Sequence, residues 1–149
     1  MQRIFIVRPG DVVAMLPSVM PYLEKMRKWT GGRRTVDDIV KRVLNMECNL
    51  WVTLGLDGKA NGAIITKVEE YPEVRLLHIL HAAGEKGQMA GLEDELYAAY
   101  DEFAKFNHCS GVEFIGRPGW KKYVERRGYK LKSVSYEKRF EQPQMVQPA

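Results

Sequence analysis

The 149-residue chain reads as a mixed α/β domain, and three observations carry that reading. Residues 74–82 are a near-continuous apolar run, Val74 to Ala82, and a glycine-broken turn over 84–91 leads from it into Leu92, Leu96, Ala99, Tyr100, Phe103 and Phe106 at helical spacing. Asp57-Gly58 separates two stretches rich in β-branched and aromatic residues, the signature of an antiparallel hairpin. Val36, Ile39, Val40, Val43 and Leu44 form one apolar helical stripe behind Thr35-Val36-Asp37-Asp38, a capping-box variant.

The elements follow in order. Ile4 to Val7 is a short apolar strand closed by Arg8-Pro9-Gly10-Asp11. The next helical stretch contains Pro17 and Pro21, and proline suits a helix start but not its interior, so a break is expected near Pro17, with Ser18 capping a second segment to Trp29. Gly31-Gly32 ends it, and the Val36 helix follows. Strands are expected over 49–56, 60–70 and 74–82, a helix to Asn107, and a short buried strand over 112–115. A helix over 119–127 is stopped by Gly128, and a last strand is expected over 130–140 from the partial alternation of Leu131, Val134, Tyr136, Lys138 and Phe140. The step from the 74–82 strand through the Leu92 helix to the 112–115 strand is a parallel crossover.

Composition sets bounds. An apolar fraction of 45% and a charged fraction of 28% are ordinary for a water-soluble globular chain, and no apolar run nears the roughly 20 residues that span a bilayer. The opening Met1-Gln2-Arg3-Ile4 sequence lacks the pattern of a secretory signal, so a cytoplasmic protein is expected. Cys48 and Cys109 form no metal motif and are expected as reduced packing thiols. The net charge is a mild +4, with the basic excess concentrated between Arg117 and Arg139. Charge alone is weak support for nucleic-acid binding, and no stacking motif accompanies it.

Chemistry-bearing residues are few. A helix start offers N–H groups without intrahelical partners and a partial positive charge, so the 84–91 turn is a candidate phosphate cradle. Glu69, Glu70, His78 and His81 are candidate bases. His78 and His81 lie three apart on a strand and are expected on opposite faces, which argues against a shared metal site. No Gly-x-Ser-x-Gly or Walker-type phosphate loop is present.

Over residues 3–140 this order resembles the GNAT superfamily of acyl-CoA N-acyltransferases. The likeness rests on Ile6-Val7-Arg8-Pro9-Gly10-Asp11 closing the first strand, the hairpin over 51–66, the strand–turn–helix at 74–106, and Tyr123-Val124-Glu125-Arg126-Arg127-Gly128-Tyr129 at the last helix. The resemblance implies a mostly antiparallel central sheet flanked by helices, with one parallel crossover, in a single domain over 1–140 with a flexible or docked tail at 141–149. It implies transfer of an acetyl group from acetyl-CoA to a small-molecule or protein amine. Leu80 and Ala82 on the central strand would pair with the pantetheine arm. Lys86, Gly87, Ala90 and Gly91 would hold the pyrophosphate, and Lys121, Lys122 and Arg126 would meet the 3′-phosphate. Glu70 or His78 would serve as general base. Family members often dimerise, so a homo-oligomer is an expectation.

Two positions depart from the family pattern. Met89 stands where the turn's middle glycine belongs, and Val124 where many members carry the tyrosine that protonates the departing thiolate. Tyr123, about 100° away around the helix, remains the candidate acid. Glu93-Asp94-Glu95 complement the helix dipole and would repel a pyrophosphate. The alternative the resemblance implies is a GNAT-fold protein without catalysis, an assembly module with a protein partner, similar to the eroded forms found among tailed phages and their virions.

Overall fold

The computed structural model describes residues 2–87 and 91–141, so Gln88, Met89, Ala90 and the tail beyond Glu141 lie outside the described residues. The chain forms two compact units, one up to Ile115 and one from Gly116 onward.

The first unit is a five-stranded sheet in the order β1–β2–β3–β4–β5: β1 (Ile4–Ile6), β2 (Asn49–Leu54), β3 (Ala60–Glu70), β4 (Arg75–Gly84) and β5 (Gly111–Phe114). The first four pair antiparallel with their neighbours, and β4 pairs parallel with β5. The connection from β4 to β5 runs through α3 (Glu93–Phe106), the crossover expected from the sequence. Helices α1 (Val12–Trp29) and α2 (Val36–Leu44) lie between β1 and β2 in the chain.

Both faces of the sheet are covered, which is why the central strands read as unbroken apolar runs. Leu50, Val52, Ala63 and Ile65 pack with Val19, Leu23, Met26, Ile39 and Val43 of α1 and α2. Trp51, Ile64, Leu77 and Ile79 pack instead with Leu92 and with Leu96, Tyr100 and Ala104 of α3. Each fully buried Leu or Val contributes on the order of 1.5–3 kcal/mol relative to exposure. Trp51 anchors the α3 layer: its ring meets Tyr100 and Phe103 edge-on at 5.4 and 5.3 Å, and its indole N–H donates to Thr66 Oγ1 at 2.8 Å.

Local chemistry explains the boundaries. Thr35 Oγ1 accepts from the Asp38 N–H and an Asp38 carboxylate oxygen accepts from the Thr35 N–H, both at 3.1 Å, so α2 starts with a complete capping box. Met46 at φ +60° and His108 at φ +61° end α2 and α3 in left-handed conformations, each with the paired backbone bonds of a Schellman motif. Gly62 has no room for a side chain, because a Cβ there would lie 2.6 Å from Thr53 Oγ1 and 3.1 Å from the Ala83 carbonyl.

Two expectations are corrected. α1 does not break at Pro17 but runs unbroken from Val12 to Trp29 with both prolines inside it. Val13, Pro17 and Pro21 fall four apart on the exposed side, opposite buried Val12, Val19, Tyr22, Leu23 and Met26, so water can reach the carbonyls that proline leaves without a donor. The strand expected over 130–140 does not form either. Leu131, Val134, Tyr136 and Phe140 are exposed, and alternation without a paired neighbouring strand does not fix an extended backbone. The second unit instead holds a 3-10 turn, Pro118–Trp120, running into the short helix α4 (Lys121–Glu125), which closes in a Schellman motif at Gly128.

Candidate active site

The site is built by β4, whose two edges differ. Toward β3 it pairs along its length, from Glu70↔Arg75 to Gly62↔Gly84. Toward β5 pairing runs only from Leu76↔Gly111 to Ile79↔Phe114. Beyond Ile79, the β4 backbone offers on that side N–H and C=O groups that no described strand takes up. The open stretch begins at a bulge: Ile65 pairs with His81 and Thr66 with Ile79, leaving Leu80 as the extra residue.

The bulge corrects the expected facing of the two histidines. Leu77 and Ile79 point to the α3 layer, so His78 points to the α1–α2 side. Without a bulge His81 would point to α3. With Leu80 inserted, both Leu80 and His81 line a narrow cleft with Ile39, Cys48 and Ile65 on the α1–α2 side. The two histidines therefore share a face.

His78 is the centre of a polar cluster that joins three elements. β5 places Glu113 directly opposite it, and His78 Nδ1 lies 2.8 Å from Glu113 Oε1. Tyr71, in the turn after β3, donates its hydroxyl to the same oxygen at 2.5 Å. Both members of the pair are partly exposed, His78 at 21% and Glu113 at 32% of the side chain, so the imidazole is held yet reachable from solvent. Burial raises the Glu113 pKa, but the hydrogen bonds from Tyr71 and His78 outweigh it and the carboxyl sits below its ordinary value. The bond to Glu113 pushes the Tyr71 hydroxyl up to about 12, which keeps it a donor at neutral pH.

The remaining candidates fall as follows. Glu70 pairs with Arg75 at 3.2 Å, and Arg75 also donates to the Asn107 carbonyl at the end of α3, so Glu70 belongs to the α3 side and does not meet His78. Glu69 lies beside Lys67 at 3.7 Å. Leu80 and Ala82 lie on the open stretch of β4. Lys86 and Gly87 are exposed in the turn that follows, with Gly87 at φ +79°. Gly91, at φ +93°, precedes buried Leu92, and among the described residues no side chain caps the start of α3. Ala90 lies outside the described residues. In the second unit Tyr123 lies in α4 with the Arg127 guanidinium 4.3 Å from its ring centre. Lys121 pairs with Glu125 at 3.9 Å, and Lys122 and Arg126 line a shallow surface dish with Glu125.

The end of β4 is tethered to α1 and β3. Lys25 Nζ donates to the Gly84 carbonyl at 3.0 Å, the Glu85 N–H donates to the Asn61 carbonyl at 2.8 Å, and Tyr22 donates to Glu85 Oε1 at 3.1 Å. The open edge is thus held firmly from its other side.

Sequence reasoning missed Glu113 and Tyr71. Glu113 left one signal, a lone carboxylate in the otherwise apolar strand Gly111-Val112-Glu113-Phe114. Nothing local marks Tyr71.

No protein-family model matches the chain, and no curated protein sequence does. Solved structures do. A ribosomal-protein-alanine N-acetyltransferase from Brucella melitensis superposes with a TM-score of 0.65 at 16% identity, over 93% of this chain and all of its own (100%). An aminoglycoside acetyltransferase from an uncultured soil metagenomic sample, in complex with sisomicin, gives 0.67 at 15% identity over 93% of this chain and 96% of its own. A GNAT family acetyltransferase from Staphylococcus aureus gives 0.64 at 16% identity, with 93% and 100% covered. The mixed sheet, its single parallel pair and its flanking helices are the GNAT fold.

Proposed function

We propose that this chain is an acetyl-CoA-dependent N-acetyltransferase acting on an amine, with His78 as general base. The observation that carries the reading is the open edge of β4 beyond Ile79, starting two residues from His78 of the His78–Glu113–Tyr71 cluster. The solved acetyltransferases that share the fold support it.

The residues present suit acetyl-CoA in two respects. The open edge from Leu80 to Gly84 offers backbone groups to a ligand that carries amides, and the positive-φ glycines Gly87 and Gly91 let backbone approach a phosphate closely. Bound there, acetyl-CoA would supply the activated acyl group. The chain's own residues supply proton transfer and position. Glu113 accepts the Nδ1 proton of His78, which fixes the tautomer and leaves Nε2 to take a proton from the acceptor ammonium or amine. Tyr71 in turn orients Glu113, and the ionised carboxylate stabilises the imidazolium that forms.

A second reading rests on the start of α3. Glu93, Asp94 and Glu95 fill its first turn, and at about 4–6 Å each would repel a phosphate by on the order of 2–4 kcal/mol before screening at a surface-like dielectric. This favours a GNAT-fold assembly module with a protein partner in place of an amine. Thermal unfolding separates the two. A cofactor at about 100 times its Kd adds roughly 2.7 kcal/mol and raises the midpoint by several degrees. With acetyl-CoA the transferase reading predicts that rise, together with amine-dependent CoA release that His78→Gln slows by about 10²- to 10⁴-fold. No rise at millimolar acetyl-CoA would leave the assembly reading.

A further inference from the structure

Lys67 is the one lysine within the five strands, and it sits on β3, an inner strand, directly opposite His78. Val68 and Leu77, the next pair in the ladder, pack with the α3 layer, so Lys67 and His78 point together to the other face. Side chains directly opposite on antiparallel strands start about 5 Å apart. His78 thus stands in a row of three, with Lys67 on one flank and Glu113 on the other.

Glu113 holds Nδ1 of His78 at 2.8 Å and so leaves Nε2 to meet an amine. By register the nearest amine is Lys67. Its ammonium is held loosely: Nζ lies 3.7 Å from Glu69 Oε2, and the two side chains are 39% and 35% exposed, so water screens the pair. The four-carbon stem lets Nζ swing from Glu69 across the imidazole. The open edge of β4 begins two residues along from His78, on the order of 7 Å, so an acyl thioester held at its start lies beside the Lys67–His78 pair. Lys25 is engaged elsewhere, donating to the Gly84 carbonyl at 3.0 Å, and Lys41 projects from α2 beside Asp37.

We propose that the protein acetylates itself at Lys67, with an acyl-CoA thioester as donor and His78 as base. The donor rests on the transferase reading above; the pairing of Lys67 with a base does not. One ammonium proton passes from Nζ to His78 Nε2 and on to solvent. The Nζ lone pair then forms the N–C bond to the acyl carbon, the C–S bond breaks with its electrons on sulfur, and a second Nζ proton ends on the departing thiol. The product is neutral, so Glu69 loses its charged partner and an amide fills the place beside His78.

Two measurements separate the donor from the pairing. The first needs no CoA: trace labelling of the whole protein with acetic anhydride, read lysine by lysine by mass spectrometry. Access alone ranks Lys41, 72% exposed, ahead of Lys67 at 39%. A base at hand reverses that order, with Lys67 labelled about 10- to 100-fold faster than Lys41 and His78→Gln restoring the order set by access. Lys67 labelled no faster than Lys41, or equally fast in His78→Gln, overturns the pairing. The second incubates the protein with saturating acetyl-CoA and no added amine. A gain of one acetyl group, mapped to Lys67, is expected, at a rate per molecule unchanged by about tenfold dilution of the protein, as for a step within one molecule. Lys67→Arg, which keeps the charge beside Glu69, removes the gain, and His78→Gln slows it by about 10²- to 10⁴-fold. Acetyl groups spread over the exposed lysines overturn self-acetylation. CoA release to an added amine with Lys67 unmodified overturns self-acetylation and keeps the transferase. No acetyl gain and no CoA release to any amine removes both. An unchanged urea midpoint in each variant certifies that it is folded.

Discussion

The two edges of β4 teach more together than either does alone. Toward β3 the strand is paired to its last residue and anchored further by Lys25 and Glu85. Toward β5 pairing stops at Ile79, and the rest of the edge has no partner strand among the described residues. One edge fixes the strand in place, and the other keeps hydrogen-bonding groups available. His78, Leu80 and His81, which the proposal places at the site, lie where the second edge changes from paired to open. The proposed function thus predicts that stability and activity separate along one strand, and that separation can be attacked from either side.

On the open side the largest effect is catalytic. If His78 is the base the proposal makes it, His78→Gln is expected to lower the acetyl-transfer rate by about 10²- to 10⁴-fold, the usual range for a positioned general base, while the urea midpoint barely moves. A comparable loss of stability instead would place His78 on the structural side of the comparison. On the paired side, Gly62→Ala costs about 1–3 kcal/mol of folding stability by urea titration, because its Cβ meets Thr53 Oγ1 and the Ala83 carbonyl. An unchanged midpoint there would show that the β3–β4 ladder is looser than described. Glu113→Gln removes the acceptor that raises the Tyr71 pKa, so the Tyr71 hydroxyl, now at about 12, falls toward 10.0 in a tyrosine-resolved NMR titration.

The pH dependence sharpens the comparison at the bulge. The folded protein holds His81 below 6.5, so as pH falls the unfolded chain takes up the proton first. This group's contribution to stability is whole above about pH 6.5 and is lost as pH falls from there through the lower folded value. His81→Gln flattens that part of a plot of unfolding free energy against pH. The smallest effect lies outside the strand, at the end of α2: Met46→Gly at φ +60° relieves left-handed strain and changes stability by less than about 1 kcal/mol, in the stabilising direction.

Much of the fold was legible because its signals are local. Asp57-Gly58 and the flanking β-branched residues bracket β3 at the bounds the structure has, and Thr35 with Asp38 marks the start of α2. Pro17 and Pro21 misled because a local rule forbids proline in a helix, whereas their spacing of four places both on the side that water reaches. The candidate site was less legible. His78 was visible as a titratable residue in an apolar strand, but its partnership with Glu113 depends on the register between β4 and β5, and the common face of His78 and His81 depends on a bulge that nothing in Leu77-His78-Ile79-Leu80-His81 announces. Strand pairing is a long-range property, and alternation over 130–140 could not supply it.

Backbone amide hydrogen exchange at Leu80–Gly84, with and without saturating acetyl-CoA, tests the central claim most directly. The account predicts that amides on the open edge exchange readily in the protein alone and slow at least about tenfold when acetyl-CoA is present, while those paired between β2 and β3 are unaffected. Exchange across Leu80–Gly84 that stays the same at millimolar acetyl-CoA would contradict it.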